Sequence, residues 1–329
     1  MATQPRRRMT IKRIWLLLIC LMAMCTLGCG SSEDTANGLA DPTNQLPFHQ
    51  NWNSYNLYRF DAPSGNWIKI VNLGAPVEAV PALGLHPAIL VHGLGSSIRT
   101  NTLTPLAQNL LSQNRATAVF GFEYDTLDGI NNNSTFFTQA IQFLNPGETH
   151  PLWTMVGHSM GGLVIRASVQ TNTLPIGTLS KVVTIATPHF GSPVANAVQG
   201  ANAVNQALVI TALNQGGFTN ADGNPSEVPL SSQGITDLRT DSLFLGILNA
   251  VGNIDNHPQV NYYTLAGTDK GGFTQVNDVL NVQTDDGFVT VASANPPQLV
   301  PVFTGTVATD HTHIQSDTRT FELINSFLP

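Results

Sequence analysis

The most constraining stretch of this 329-residue chain is Gly157-His158-Ser159-Met160-Gly161-Gly162. It follows an apolar run, Leu152 to Val156, and leads into a segment with helical spacing, Gly161 to Val169. A Gly-x-Ser-x-Gly pattern in that setting predicts a sharp, strained strand-to-helix turn with the serine at its apex. A Cβ two residues either side of the serine would collide with neighbouring backbone, which accounts for the glycines. The turn lifts the hydroxyl to the top of a sheet, near a helix N-terminus. Ser159 is therefore the candidate nucleophile, and an ordinary surface turn is the plainer alternative.

The text around this motif alternates. Trp67 to Val71 reads as an early strand, and Ala88 to Val91 as a short buried strand ending at glycines. Leu103 to Leu111 has helical spacing, Thr117 to Phe122 reads as a strand and Thr135 to Leu144 as a helix. Lys181 to Ala186, Val260 to Ala266 and Leu299 to Phe303 read as further strands, and Thr318 to Leu328 as a closing amphipathic helix. Strand and helix in alternation imply right-handed crossovers and a mostly parallel central sheet with helices on both faces. Ligands of such sheets bind at the carboxyl ends of the strands. Residues 195 to about 250, rich in Ala, Asn, Gln and Gly, break the rhythm and read as a cap or lid insertion.

A serine nucleophile needs donors for the developing oxyanion, a base and an acid. Val91-His92-Gly93-Leu94-Gly95-Ser96 sits at the end of a buried strand, where glycines let backbone approach the substrate. The N–H of Leu94 and that of Met160, the residue after the nucleophile, are the expected oxyanion donors. His92 reads as a residue that holds the shape of this loop rather than as the base.

In proteins that carry the serine on a Gly-x-Ser-x-Gly elbow of this kind, the acid and then the histidine follow the nucleophile along the chain. Only His189, His257, His311 and His313 come after Ser159. His189 directly follows a strand and is too early, and His257 precedes the strand that should carry the acid. Asp310-His311-Thr312-His313 remains, with His311 preferred because it leaves room for a loop before the last helix. For the acid, Asp286 is preferred, since Gly287 lets the turn aim the carboxylate inward. Asp285 is its close rival and Asp269 a distant one.

The N-terminal segment carries different information. Arg6, Arg7, Arg8, Lys12 and Arg13 precede the apolar stretch Ile14 to Leu27, which is short for a membrane span. Thr26-Leu27-Gly28-Cys29 then resembles a bacterial lipoprotein signal, with Thr26 standing where leucine is usual. The expectation is a signal peptide over 1–29, a flexible tether over 30–50 and a catalytic domain over 51–329. Acyl chains on Cys29 would anchor the exported chain to a membrane. The three cysteines are Cys20, Cys25 and Cys29, so the exported form has none to spare for an internal disulfide. Loss of the first 28 residues leaves 9 basic against 21 acidic residues, a net charge of −12. That charge, without a basic helix or zinc-finger spacing, argues against nucleic-acid binding.

Taken together, His92-Gly93-Leu94-Gly95, Gly157 to Gly162, Ala186-Thr187-Pro188-His189-Phe190-Gly191-Ser192, Asp286-Gly287-Phe288-Val289 and Asp310-His311 resemble bacterial lipases and carboxylesterases of the α/β-hydrolase superfamily. The resemblance covers roughly residues 85 to 328. It implies an α/β-hydrolase fold, a Thr-Pro-His-x-Gly-Ser segment that shapes the acyl pocket, and a triad of Ser159, Asp286 and His311. It implies ester or lipid substrates and no cofactor, and leaves a structural calcium open. Phospholipase, thioesterase or acyltransferase chemistry would use the same machinery, and an anchored binding protein without catalysis is the reading of another class.

Overall fold

The computed structural model describes residues 55–72, 75–76, 83–100, 102–145, 151–170, 174, 180–200, 232–250, 260–271 and 285–328. The expected signal segment and tether, Cys29, His257 and residues 201–231 of the expected insertion lie outside these.

Nine strands form one sheet: β1 (Asn56–Asp61), β2 (Asn66–Asn72), β3 (Ala75–Pro76), β4 (Pro87–Val91), β5 (Ala118–Glu123), β6 (Thr154–His158), β7 (Ser180–Ile185), β8 (Val260–Gly267) and β9 (Phe303–Val307). Their spatial order is β3-β2-β1-β5-β4-β6-β7-β8-β9. From β5 to β9 every neighbouring pair is parallel. The first three strands add an antiparallel apron through the β1–β5 pairing. The central strands are buried on both faces, as the wholly apolar Pro87–Val91 run requires.

Side chains along these strands alternate between two cores. Ile89 and Val91 face one, with Phe120, Phe122 and Met155. Helices α2 (Ile130–Leu144) and α3 (Met160–Gln170) cover that face through residues such as Phe137, Ile141, Leu163 and Val164. Ala88 and Leu90 face the other, under α1 (Thr104–Ser112) and α8 (Thr318–Phe327), whose Leu106, Leu110 and Ile324 are fully buried. Burying each such side chain contributes about 1.5–3 kcal/mol before chain entropy is charged against it.

Four shorter helices complete the described helices: α4 (Pro193–Gly200), α5 (Gln233–Asp237), α6 (Leu243–Leu248) and α7 (Val291–Ala294). Helices α4, α5 and α6 belong to the stretch read as an insertion. Helix α5 has a structural duty toward the core: Asp237 Oδ2 accepts the N–H of Ile130, 2.8 Å away, at the start of α2. Gly129 precedes α2 with no side chain to cap it, so this distant carboxylate takes that place.

Three differences from the sequence reading have local causes. Strand β1 has no counterpart in it. Helix α2 begins at Ile130, five residues before the expected Thr135, because Asp237 caps a first turn of asparagines that are poor helix formers. The strand expected over Leu299–Phe303 is instead a 3-10 turn at Pro297–Leu299 followed by β9 from Phe303. Val300 there is left-handed, at φ +46°, and Pro301 has no N–H to donate, so the run joins β8 from Val302 onward, where the Val302 N–H donates to Tyr262 O at 2.8 Å.

Candidate active site

The turn between β6 and α3 places Ser159 at the top of the sheet. Its φ is +52°, a left-handed conformation that an L-residue keeps only when its surroundings enforce it. Enforcement is visible: the Ser159 N–H donates to Ile185 O at 2.8 Å, and its carbonyl accepts from Gly162 N at 3.0 Å. A Cβ on Gly157 would lie 2.5 Å from the backbone of Gly162, and one on Gly161 would strike the carbonyl oxygens of Val91 and His92. Only glycine fits at either place.

His311, on the loop after β9, brings its Nε2 to 2.9 Å from Ser159 Oγ. Its Nδ1 lies 2.8 Å from Asp286 Oδ2. A carboxylate only accepts, so the neutral ring carries its proton on Nδ1 and turns the Nε2 lone pair to the serine O–H. Asp286 is held in turn: its Oδ1 accepts the N–H groups of Phe288 at 3.0 Å and Val289 at 2.8 Å. Its main-chain carbonyl accepts the N–H of His311 at 2.9 Å. Gly267, at the end of β8, permits this closeness, since a Cβ there would lie 2.6 Å from Asp286 Cβ. Ser159, His311 and Asp286 are all buried.

The rivals are placed elsewhere. Asp285 points away, accepting from Gly287 N at 2.7 Å and lying 3.4 Å from Lys270 Nζ. Burial raises its pKa, against the opposing pull of the Gly287 N–H and Lys270. Asp269 takes the Gly271 N–H at 3.1 Å. His313 is 72 % exposed and pairs with Asp310 at 2.8 Å. Burial works to raise the Asp310 pKa, but hydrogen bonds from His313 and Thr312 outweigh it and hold it below the ordinary carboxylate value. His189 is fully buried 3.1 Å from Thr184 Oγ1, and burial drives its pKa well down.

The two expected oxyanion donors are Met160 and Leu94. Met160 opens α3, so its N–H has no carbonyl within the helix to serve, and it stands at the positive end of the helix dipole. Leu94 borders the same pocket as Ser159 and His311. Its loop is braced: Tyr124 Oη donates to His92 O at 2.7 Å, Gly95 N to Thr126 Oγ1 at 3.2 Å, and Ile98 N to the buried Glu123 at 2.8 Å. His92 Nδ1 lies 3.0 Å from Gly93 O, within the loop, and its pKa is lowered by burial. The sequence reading did not find Tyr124, Thr126 or Glu123. They lie 25 to 32 residues from their partners, at the end of a different strand, and no local pattern marks them.

Beside Ser159 and His311 is an apolar pocket walled by Val194 and Val198 of α4, Ile235 of α5, Leu238, Pro188 and Phe288. Among the described residues, no Asp, Glu, Lys or Arg side chain borders it. The segment Ala186–Ser192 joins this wall to the acid loop, with Ser192 Oγ donating to Phe288 O at 2.6 Å. Among the described residues no group of three or more His, Cys, Asp or Glu side chains could hold a metal ion.

Comparison with known proteins agrees with this architecture. Residues 84–244 match the family model of the PGAP1-like alpha/beta domain. Among solved structures, the mature form of the Bacillus licheniformis lipase BlEst2 superposes with a TM-score of 0.55 at 21 % identity, covering 78 % of this chain and 96 % of that one. The propeptide form of the same lipase gives 0.56 at 21 % identity, over 78 % of this chain and 52 % of that one. The metagenomic carboxyl esterase MGS0156 gives 0.50 at 16 % identity, over 78 % of each chain. No curated protein matches by sequence. The chain has the α/β-hydrolase fold, mixed in its sheet and covered by helices on both faces.

Proposed function

We propose that this protein is a serine hydrolase that cleaves carboxylic esters, with Ser159 as nucleophile, His311 as base and Asp286 as the acid that orients it. The observation that carries the reading is the buried hydrogen-bonded chain from Ser159 Oγ through His311 to Asp286, at 2.9 Å and 2.8 Å. Neighbours that are a lipase and an esterase, and the match to a PGAP1-like domain, support the class.

Chemically, His311 Nε2 takes the Ser159 proton as Oγ attacks the ester carbonyl. The Leu94 and Met160 N–H groups hold the oxyanion, a term that mutagenesis in other hydrolases puts at about 3–4 kcal/mol for a single donor. His311 then gives its proton to the departing alcohol, leaving an acyl-enzyme. A water, deprotonated by His311, releases the acid and restores Ser159. The apolar side chains that wall this pocket among the described residues, Val194, Val198, Ile235, Leu238 and Phe288, support an uncharged acyl group, from a simple or lipid ester, as the portion held there.

The test is hydrolysis of nitrophenyl esters of graded acyl length by the purified protein and by Ser159→Ala. Turnover that disappears in the variant supports the reading, and equal turnover by both removes it. For placement in the cell, the basic-then-apolar N-terminus and Cys29 support export and anchoring by acyl chains. Radiolabelled palmitate should enter the wild type and not Cys29→Ser.

A further inference from the structure

One side chain of the nucleophile turn has no part in the steps above. His158 is the last residue of β6, and its ring is buried 5.0 Å from that of His311. Its Nε2 lies 2.9 Å from the main-chain carbonyl oxygen of His311, 153 residues further along the chain. A carbonyl only accepts, so the proton is on Nε2 and that nitrogen donates. Nδ1 is left on the side of Gly93, where a Cβ would come within 3.1 Å of it. Burial first, and then the facing His311, push the His158 pKa down to about 3. The ring therefore stays neutral, and the donating arrangement persists, at any pH near neutrality.

The need for such a bond follows from the topology. Ser159 belongs to the end of β6, whereas His311 follows β9, three strands across the sheet. Asp286 holds His311 by its side chain and by its own carbonyl, but that residue belongs to the loop before α7. Among the described residues, two hydrogen bonds join the nucleophile turn to the Thr309–His313 loop. One is the reacting pair itself, and the other is His158 Nε2 to His311 O. The reacting bond must break and re-form in each cycle, so it cannot also serve as the fixed strut.

We propose that His158 is a positioning residue: by donating from Nε2 to the His311 carbonyl it sets the base loop at its working distance from Ser159. This rests on the reading of Ser159 and His311 given above. A misplacement of about 1 Å between reacting groups can cost roughly 100-fold in rate. The bond acts on geometry between the two reacting side chains and not on the acyl pocket, so its loss should fall on kcat.

The experiment compares His158→Phe, which keeps a ring but has no donor, with His158→Gln, which restores an N–H on a flexible chain. Each is measured on nitrophenyl butyrate, with active sites counted by phosphonate titration so that only folded enzyme enters kcat. The expected result is a fall in kcat of about 10- to 100-fold for His158→Phe with KM within about twofold, and partial recovery in His158→Gln. If His158→Phe proves too unstable to titrate, His158→Met replaces it. Wild-type kcat in the donor-free variant overturns the proposal, as does an equal loss in the Phe and Gln variants. A wild type that neither hydrolyses the ester nor takes phosphonate at Ser159 overturns the underlying reading and this one with it.

Discussion

Two histidines two residues apart on the loop after β9 each pair with an aspartate at 2.8 Å. His311 with Asp286 is buried, and Asp286 is braced by two further N–H groups. His313 pairs with Asp310 at the surface, its own side chain 72 % exposed. The same two side chains at the same distance thus have different standing. A buried imidazole can aim one lone pair at one hydroxyl, whereas an exposed pair is solvated and contributes at most about 1 kcal/mol of stability. The lesson is that distance alone does not identify a catalytic dyad; what the other nitrogen faces does.

The largest test of that contrast is to remove each ring. His311→Ala should lower kcat/KM on a nitrophenyl ester by about 10³- to 10⁶-fold, and His313→Ala should stay within about twofold. Similar losses in the two would break the comparison. Next are the carboxylates. Asp286→Asn keeps the shape but disturbs the ring's tautomer, with an expected loss of about 10²- to 10⁴-fold. Asp310→Asn should cost less than about tenfold, through loosening of the turn that Asp310 Oδ1 holds at Thr312 and His313.

Smaller still is Asp285→Asn, beside the acid but paired with Lys270. Its kcat should change less than about threefold, while the midpoint of thermal unfolding drops by a few degrees at most, because Lys270 is partly solvated. A loss comparable to that of Asp286→Asn would reassign the acid.

Burial also makes a prediction in pH. His92, His158 and His189 have folded pKa values lowered from 6.5, in each case first by burial. The unfolded chain therefore binds more protons as pH falls below about 6.5, and acid destabilises the fold. Each histidine can contribute up to about 1.4 kcal/mol per pH unit within that window. Urea unfolding between pH 7 and pH 5 should show declining stability, with a shallower decline in His158→Phe. A flat or rising profile would contradict the neutral, buried rings.

How much of this was legible in the sequence depended on how local the physics was. Ser159 was legible because the glycines at 157 and 161 answer to backbone only a few residues or one strand away. The parallel strands from β4 to β8 were legible as apolar runs. His311 and Asp286 were narrowed only to near neighbours, because which residue of a loop turns inward depends on contacts from other elements, such as Gly267 of β8 against Asp286 and His158 of β6 against the His311 carbonyl. The role of His158 and the cap that Asp237 places on α2 were illegible, since each bond spans more than 100 residues. At Leu299–Phe303 the apolar run misled, because Pro301 and the left-handed Val300 outweighed its hydrophobicity.

The central claim is that the buried pair, not the exposed one, activates Ser159. It is tested most directly by the rate at which a fluorophosphonate modifies the protein, with the modified peptide identified by mass. The account predicts stoichiometric label on Ser159, a rate that collapses in His311→Ala and a rate unchanged in His313→Ala. Label on another residue, or undiminished labelling of His311→Ala, would contradict it.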